Sequence, residues 1–427
     1  MSRSGTLTSR ERVLKAIAHQ EPDRIPIDLG GSITSGISAY ALVRLRNHLG
    51  MKRPVKVYDV FQMLGEVEMD LVEKFHIDVL PVEPLSLFFG MRRKDYKPWK
   101  LPDGTEILMP GNFNVEIDGN GDYLLREGGS PSKPIVARMP KGGFYFEDLS
   151  LIHFVDDFTP PPLEKIKGQR KIKEEDLEFM VERARLLRNE TDKALLLGPW
   201  PYVGLVGVGS IPNFLMLIAT EKNYVKELMH LREEETIENL KLLWKNIGEN
   251  VDIVIIDGWD FGSQQGELIS PEDFLEIYAP HYKNINAWVH QNTTWKTWQH
   301  ICGSITRLLP ILVDTGLDIL NPVQVSAKGM DPSWLKREFG SRLTFWGGGI
   351  NTQSTLPFGT PEEVENEVKE MIRIFGPGGG FVFAAVHNIQ PGTPPKNIEV
   401  MLQAVIKYGQ YPLNPELMEE GKASEHA

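Results

Sequence analysis

Eight short apolar runs, rich in β-branched residues and separated by helical stretches, constrain this chain more than any other feature. They lie at Arg24–Gly30, Phe75–Val82, Ala194–Pro199, Val251–Trp259, Thr294–Gly303, Asp318–Gln324, Leu343–Gly349 and Gly380–Asn388. A strand with one wet face alternates polar and apolar residues. A strand buried on both faces reads as a continuous run. Continuous runs joined through helices therefore predict parallel strands, and eight of them match the count of an α/β (β/α)8 TIM barrel. A doubly wound sheet offers the same alternation. It usually has a Gly-rich phosphate loop after its first strand, and "DLGGSITSG" lacks the G-x-G-x-x-G spacing. The barrel is the better reading.

The connecting helices are marked by their ends. Thr8 with Glu11 forms a capping-box pattern at the first helix. Thr360 and Pro361 open a helix whose stripe is Val364, Val368, Ile372 and Phe375, and "GPGGG" stops it. "ITRLLPILVDTG" reads as a shorter helix ending at Gly316. Strands two and three are too far apart for a plain unit. Between about residues 86 and 150, period-two alternation around Gly- and Asn-rich turns predicts a β-hairpin-rich insertion into a single barrel domain spanning 1–427. Within it, "DGNGD" (Asp118–Asp122) imitates the start of a calcium loop. The required Gly is Tyr123 and the closing Glu is Gly129, so a hairpin turn is the better reading. The acidic tail "MEEGKASEHA" is expected to fray.

Net charge −12 argues against a nucleic-acid partner, whose phosphates need a dense basic surface. The N-terminus lacks a signal-peptide core, and no apolar run is long enough to span a membrane. A single cysteine fits a reducing compartment. A cytoplasmic protein without a membrane partner is the expectation.

Barrel chemistry collects at the C-terminal strand ends. Here those ends carry Asp28, Trp200, Tyr202, Asp257, Trp259, Asp260, His300, Cys302, Asn321, Gln324, Trp346, His387 and Asn388. His300 and Cys302 lie two apart, which on a strand points both side chains to one face. Imidazole and thiolate are ligands that zinc accepts together, although a buried Cys is also a common small hydrophobe. His387, at the end of the last strand, is placed to reach the same axis or to close the barrel rim. Asp260 is a candidate further ligand or partner of a ligand histidine, or else a helix cap.

The segments "EPDRIPIDLG", "HICGSITRLLPILVDTGLDILNPVQ", "DPSWLKREFGSRLTFWGGGINTQ" and "GPGGGFVFAAVHNIQPGTPPKNIEVM" resemble the uroporphyrinogen decarboxylase superfamily, in particular its corrinoid-linked methyltransferase branch. The resemblance covers roughly residues 8–82 and 180–408 and implies a (β/α)8 barrel. It also implies zinc held by an H-x-C pair plus a residue from the last strand, which by position are His300, Cys302 and His387. Thiol-methylating members usually have Cys at that last place. One thiolate instead of two makes a harder Lewis acid, better matched to an oxygen. The decarboxylases hold substrate carboxylates with an Arg-rich motif after the first strand, and "DLGGSITSGIS" has no Arg.

The implied activity is methyl transfer from a methoxylated aromatic donor to the Co(I) of a corrinoid (cobalamin) carried by a partner protein. Asp260, His300, Cys302 and His387 would be the catalytic set. Trp200, Tyr202, Trp259, Phe261 and Trp346 would wall the pocket, unless they are ordinary core, and Gln264 and Asn388 would hydrogen-bond the substrate. Transfer from a methylcorrinoid to a thiol or pterin, decarboxylation of a tetrapyrrole, and a non-catalytic binding barrel are the competing readings. A homodimer is left open.

Overall fold

A computed structural model describes residues 6–415; the tail expected to fray lies outside the described residues. Seven strands run parallel in chain order: Val79–Val82, Ala194–Leu197, Ile253–Asp257, Lys296–His300, Ile319–Asn321, Thr344–Trp346 and Phe381–Val382. Residues 25–29 supply the eighth stave and close the cylinder. Ile27 pairs in parallel with Phe383, and its carbonyl accepts the N–H of Asp78 at 2.8 Å. Counted along the chain this stave is strand one, and the seven above are strands two to eight. The (β/α)8 expectation holds.

Both faces of the staves are apolar, as continuous runs require. Val79, Leu196, Ile253, Trp298, Ile319, Trp346 and Val382 fill the interior. Their alternates, among them Leu80, Leu195, Val254, Leu320 and Phe345, pack outward against the helices. The helix Ser9–Ile17 starts on the Thr8–Glu11 capping box, and its Val13 and Ile17 join the interior cluster beneath the strands. The helix Pro361–Phe375 has the capping box Thr360–Glu363 and buries the expected stripe. The shorter helix is confined to Leu309–Asp314, with Gly316 at φ +84° beyond it.

An aspartate opens strands two, four and six, and each reaches back to a backbone N–H of the preceding stave. Asp78 accepts from Ile27, Asp252 from Leu195 and Asp318 from Thr297, at 2.8, 2.9 and 2.8 Å. These carboxylates are themselves held, Asp78 by Arg12 and Arg24, Asp252 by Arg10 and Arg188, and Asp318 by His290. A buried carboxylate is costly unless its oxygens are paired, and here the pairing also fixes strand register.

The insertion is antiparallel. Lys97–Lys100 pairs with Glu106–Met109, and Val115–Ile117, Tyr123–Arg126, Ile135–Met139 and Glu147–Asp148 form a four-stranded sheet. "DGNGD" is the hairpin turn of that sheet. The Asp118 carboxylate accepts the N–H groups of Asn120 and Asp122, so it is satisfied within the turn. A further small hairpin, Val57–Asp59 with Leu64–Gly65, precedes the insertion and was not anticipated from the sequence. It is joined to the insertion through a bridge between Lys56 and Leu108.

Among the described residues, no helix is long and apolar enough to cross a membrane.

Candidate metal centre at the barrel mouth

Strand five ends at His300, and the chain then turns so that Cys302 comes back over it. The Cys302 Sγ lies 3.2 Å from His300 Nε2. The His387 ring stands edge-on to that of His300, with centroids 5.4 Å apart. One ligand atom from each of His300, Cys302 and His387 lies within 4.8 Å of the other two. That spacing is within reach of a single tetrahedral ion with small side-chain adjustments.

The turn is built for this approach. Gly303 has φ +91°, and a Cβ on it would lie 2.2 Å from the carbonyl carbon of Gly262. The loop after strand four therefore rests directly on the loop after strand five, which only glycine permits. In that crossing loop Asp260 accepts the Cys302 N–H at 3.0 Å, and its Oδ1 is 3.6 Å from His300 Nε2. Asp260 is 53% exposed, so it remains free to turn toward an added ion. Gln324 accepts the Gly303 N–H at 2.7 Å.

Asn321, at the end of strand six, sets the tautomer of His300. Its Nδ2 donates to the Trp346 carbonyl at 2.9 Å, which turns its Oδ1 toward His300 Nδ1 at 2.8 Å and the Thr34 hydroxyl at 3.0 Å. An amide oxygen only accepts, so His300 carries its proton on Nδ1 and presents the Nε2 lone pair to Cys302 and His387. Orientation of a ligand histidine by such a partner is the usual support of a metal site.

Burial governs the electrostatics. It holds His387 down at about 4, with the neighbouring His300 adding to the effect, so the ring is neutral at physiological pH. Burial, reinforced by the Asp260 carboxylate, pushes the Cys302 thiol far above its ordinary range. A divalent cation reverses that second effect by stabilising the thiolate. Below the mouth, Asp28 accepts the Trp346 indole N–H at 2.7 Å and the Gly31 N–H at 2.8 Å. Burial raises its carboxyl to about 6. A second trio, His230, Glu233 and His281, lies on the outer helices Lys222–Ile247 and Ala279–Asn292.

The residues expected to wall a pocket divide. Trp200 is half-buried just past strand three. Trp259 is half-buried but packs edge-on against Phe214 at 5.7 Å. Three others serve the interior instead. Tyr202 is buried with its hydroxyl on Asp176. Phe261 is enclosed by Phe274 and Tyr278. Trp346 fills the barrel beneath the mouth. Large rings beside strand ends found enclosed space there, and their burial outweighs exposure. Gln264 is exposed and donates to Gln353. Asn388 is buried and takes the Gly36 N–H at 2.6 Å, while donating to Ile33 and Gln62. It ties loops together.

The residues missed by sequence reading are Asn321 in its orienting role and the cluster Phe61, Phe88 and Phe89. A polar residue closing the run "DILNPVQ" was the available signal for Asn321. "LFFG" was absorbed into the hairpin reading of the insertion.

The fold and these side chains define a (β/α)8-barrel protein with a mixed nitrogen–sulfur cluster at its mouth. A family model described as uroporphyrinogen decarboxylase (URO-D) matches residues 153–408, and the chain belongs to that family. It is 23% identical over 250 residues to the uroporphyrinogen decarboxylase of Chlorobium limicola, covering 54% of this chain and 65% of that relative. It is 31% identical over 160 residues to that of Schizosaccharomyces pombe, covering 35% of this chain and 41% of the relative. The chain thus spans less than two thirds of the length of these relatives. In fold it is similar to a methyltransferase from Methanosarcina mazei. The TM-score is 0.56 at 16% identity, and the match covers 94% of this chain and 99% of that one.

Proposed function

We propose that this protein is a zinc-dependent methyltransferase that moves a methyl group from a methoxylated aromatic donor to the Co(I) of a corrinoid on a partner protein. The observation that carries the reading is the convergence of His300, Cys302 and His387 within 4.8 Å, with Asn321 holding His300 Nε2 free. The donor set fits zinc, with two imidazoles, one thiolate and room for a fourth ligand. Zinc bound there would supply Lewis acidity to the ether oxygen that leaves.

The chain's own groups do the rest. His300 and His387 would hold the ion through imidazole nitrogen and Cys302 through its thiolate. Asp260 fixes the Cys302 backbone and stands beside the cluster as an acceptor. In the transfer the methyl–oxygen bond breaks, and its electron pair stays with the leaving phenolate oxygen. The acceptor's electron pair forms the new bond to the methyl carbon.

Tetrapyrrole decarboxylation is less well supported. Where that chemistry needs Arg for carboxylates, residues 31–36 present a hydroxyl network, with Ser32 bonded to Thr34 and Ser35 and Thr34 to Asn321.

The test has two parts. Metal analysis of the wild type, Cys302→Ser and His300→Ala should show about one zinc per chain falling in both variants; full occupancy in both would overturn the metal site. Mixing the wild type with a reduced corrinoid protein and methoxybenzoates should convert the corrinoid spectrum to the methylated form. No conversion with any donor would overturn the demethylase reading.

A further inference from the structure

The inserted sheet holds an aromatic patch against the barrel mouth. Phe61 lies in the turn of the small hairpin, Phe88 and Phe89 in the turn after strand two, and Trp200 just past strand three. Ring centroids are 5.3 Å apart for Phe61 and Phe88, 5.9 Å for Phe61 and Phe89, and 6.4 Å for Phe88 and Trp200. All four are half-buried. Among the described residues, Phe89 packs against the main core, whereas Phe61, Phe88 and Trp200 are in neither core cluster. They lean on one another and keep surface open.

The insertion fixes this arrangement. The Phe61 carbonyl accepts the N–H of Phe146, which lies at the last strand of the inserted sheet. Asn112 donates to the carbonyls of both Gly90 and Gly128. A Cβ on Gly90 would stand 2.9 Å from the Gly128 nitrogen, so the Phe88–Phe89 turn is pressed onto the insertion. Phe89 at φ +60° and Gly90 at φ +73° make that turn sharp.

One hydrogen bond links the patch's neighbourhood to that of the candidate metal centre. Gln62, next to Phe61, bonds to Asn388, the neighbour of His387. Phe88 and Trp200 follow the C-terminal ends of strands two and three, the same end of the barrel at which His300 and Cys302 leave strand five. Of the acids nearest in sequence, Asp59 is buried and accepts the Gln62 N–H at 2.6 Å, and Glu83 at the end of strand two is occupied by Arg93. Apolar rings rather than charge are therefore what the patch offers a ligand.

We propose that Phe61, Phe88 and Trp200 form the subsite for the aromatic ring of the methyl donor and thereby set specificity, and that the inserted sheet is the device that positions them. This rests on the methyltransferase reading for the identity of the bound molecule. Offset and edge-on ring contacts suit a planar ring whose substituent reaches across to the cluster.

The experiment measures binding without any corrinoid. The full chain, loaded with zinc, is titrated calorimetrically with 4-methoxyphenol and, separately, with methanol and tetramethylammonium. The wild type should bind 4-methoxyphenol in preference to the other two. Phe88→Leu and Trp200→Leu should each weaken that binding roughly tenfold, with zinc content and thermal midpoint unchanged, and Phe88→Tyr should restore it. Two different lesions guard against one that fails to fold. Undiminished affinity in both leucine variants, absence of 4-methoxyphenol binding, or preference for tetramethylammonium would overturn the subsite. Normal ring binding with no turnover on adding reduced corrinoid protein would uphold the subsite and overturn the methyl-transfer reading instead.

Discussion

The Asn321 amide oxygen meets His300 Nδ1 at 2.8 Å, and that bond decides which imidazole nitrogen faces the barrel mouth. Loss of this partner leaves the ring free to change tautomer or rotate. Asn321→Ala is expected to weaken zinc binding by about 10–100-fold without unfolding the barrel. Competition against a chelator of known affinity measures it; unchanged affinity would show that the ring is held by other contacts.

Zinc binding should also register as stability. If the ion binds only the folded chain, saturation to a hundred times its dissociation constant adds about 2.7 kcal/mol. Chemical denaturation of stripped protein with and without zinc should show this in the wild type and not in His387→Ala.

The crossing of Gly262 and Gly303 is a second sensitive point. Gly303→Ala combines a positive φ with a Cβ 2.2 Å from a backbone carbon. We expect a loss of about 1–3 kcal/mol and reduced zinc occupancy. Gly50→Ala is the control, because Gly50 shares a positive φ of +73° but has no neighbour within 4 Å of its Cβ position. It should cost less and leave zinc in place.

Asp78 stitches strand one to strand two and takes both Arg12 and Arg24. Asp78→Ala removes the carboxylate shared by the two guanidinium groups, Arg12 keeping Asp23 and Arg24 keeping only backbone carbonyls, and leaves the buried Ile27 N–H without its acceptor. A loss of about 3–5 kcal/mol follows. Removing the exposed Arg337–Glu338 pair should cost less than about 1 kcal/mol. Denaturant midpoints of the two variants compare these directly.

Asp59 should contribute a loss of stability as pH rises through the acid range, opposite in sign to carboxylates held low such as Asp23, Asp70 and Asp318. Burial lifts its carboxyl from 3.8 to about 7 in the folded chain. Between those values the unfolded chain has released the proton and the folded chain still holds it. Raising the pH therefore favours unfolding, by an amount on the order of 4 kcal/mol once both limits are passed. Asp59→Asn should remove that contribution, so the variant gains stability relative to the wild type as pH rises from about 4 to about 7. A profile identical to wild type would show that Asp59 ionises normally.

Much of this protein was legible in one dimension. Runs apolar on both faces required parallel strands covered by helices, and eight of them pointed to a barrel. The capping boxes at Thr8 and Thr360 and the turn at Asp118 are local chemistry between residues a few positions apart, so sequence spacing was enough to find them. The His300–Cys302 pairing was legible for the same reason.

Tertiary structure alone decided the rest. Strand one forms no long ladder of its own, and its backbone partners Phe383, Asp78 and Gly409 lie far away in the chain. Asn321 acquires its role because the parallel pairing of strands five and six sets it opposite His300. Tyr202, Phe261 and Trp346 share the composition of a pocket wall with Phe61, Phe88 and Trp200. Which rings are enclosed and which stay open depends on the space left by neighbours distant in sequence, here above all the inserted sheet. Local spacing fixes backbone conformation and nearest-neighbour bonds, whereas burial is a property of the whole packed volume.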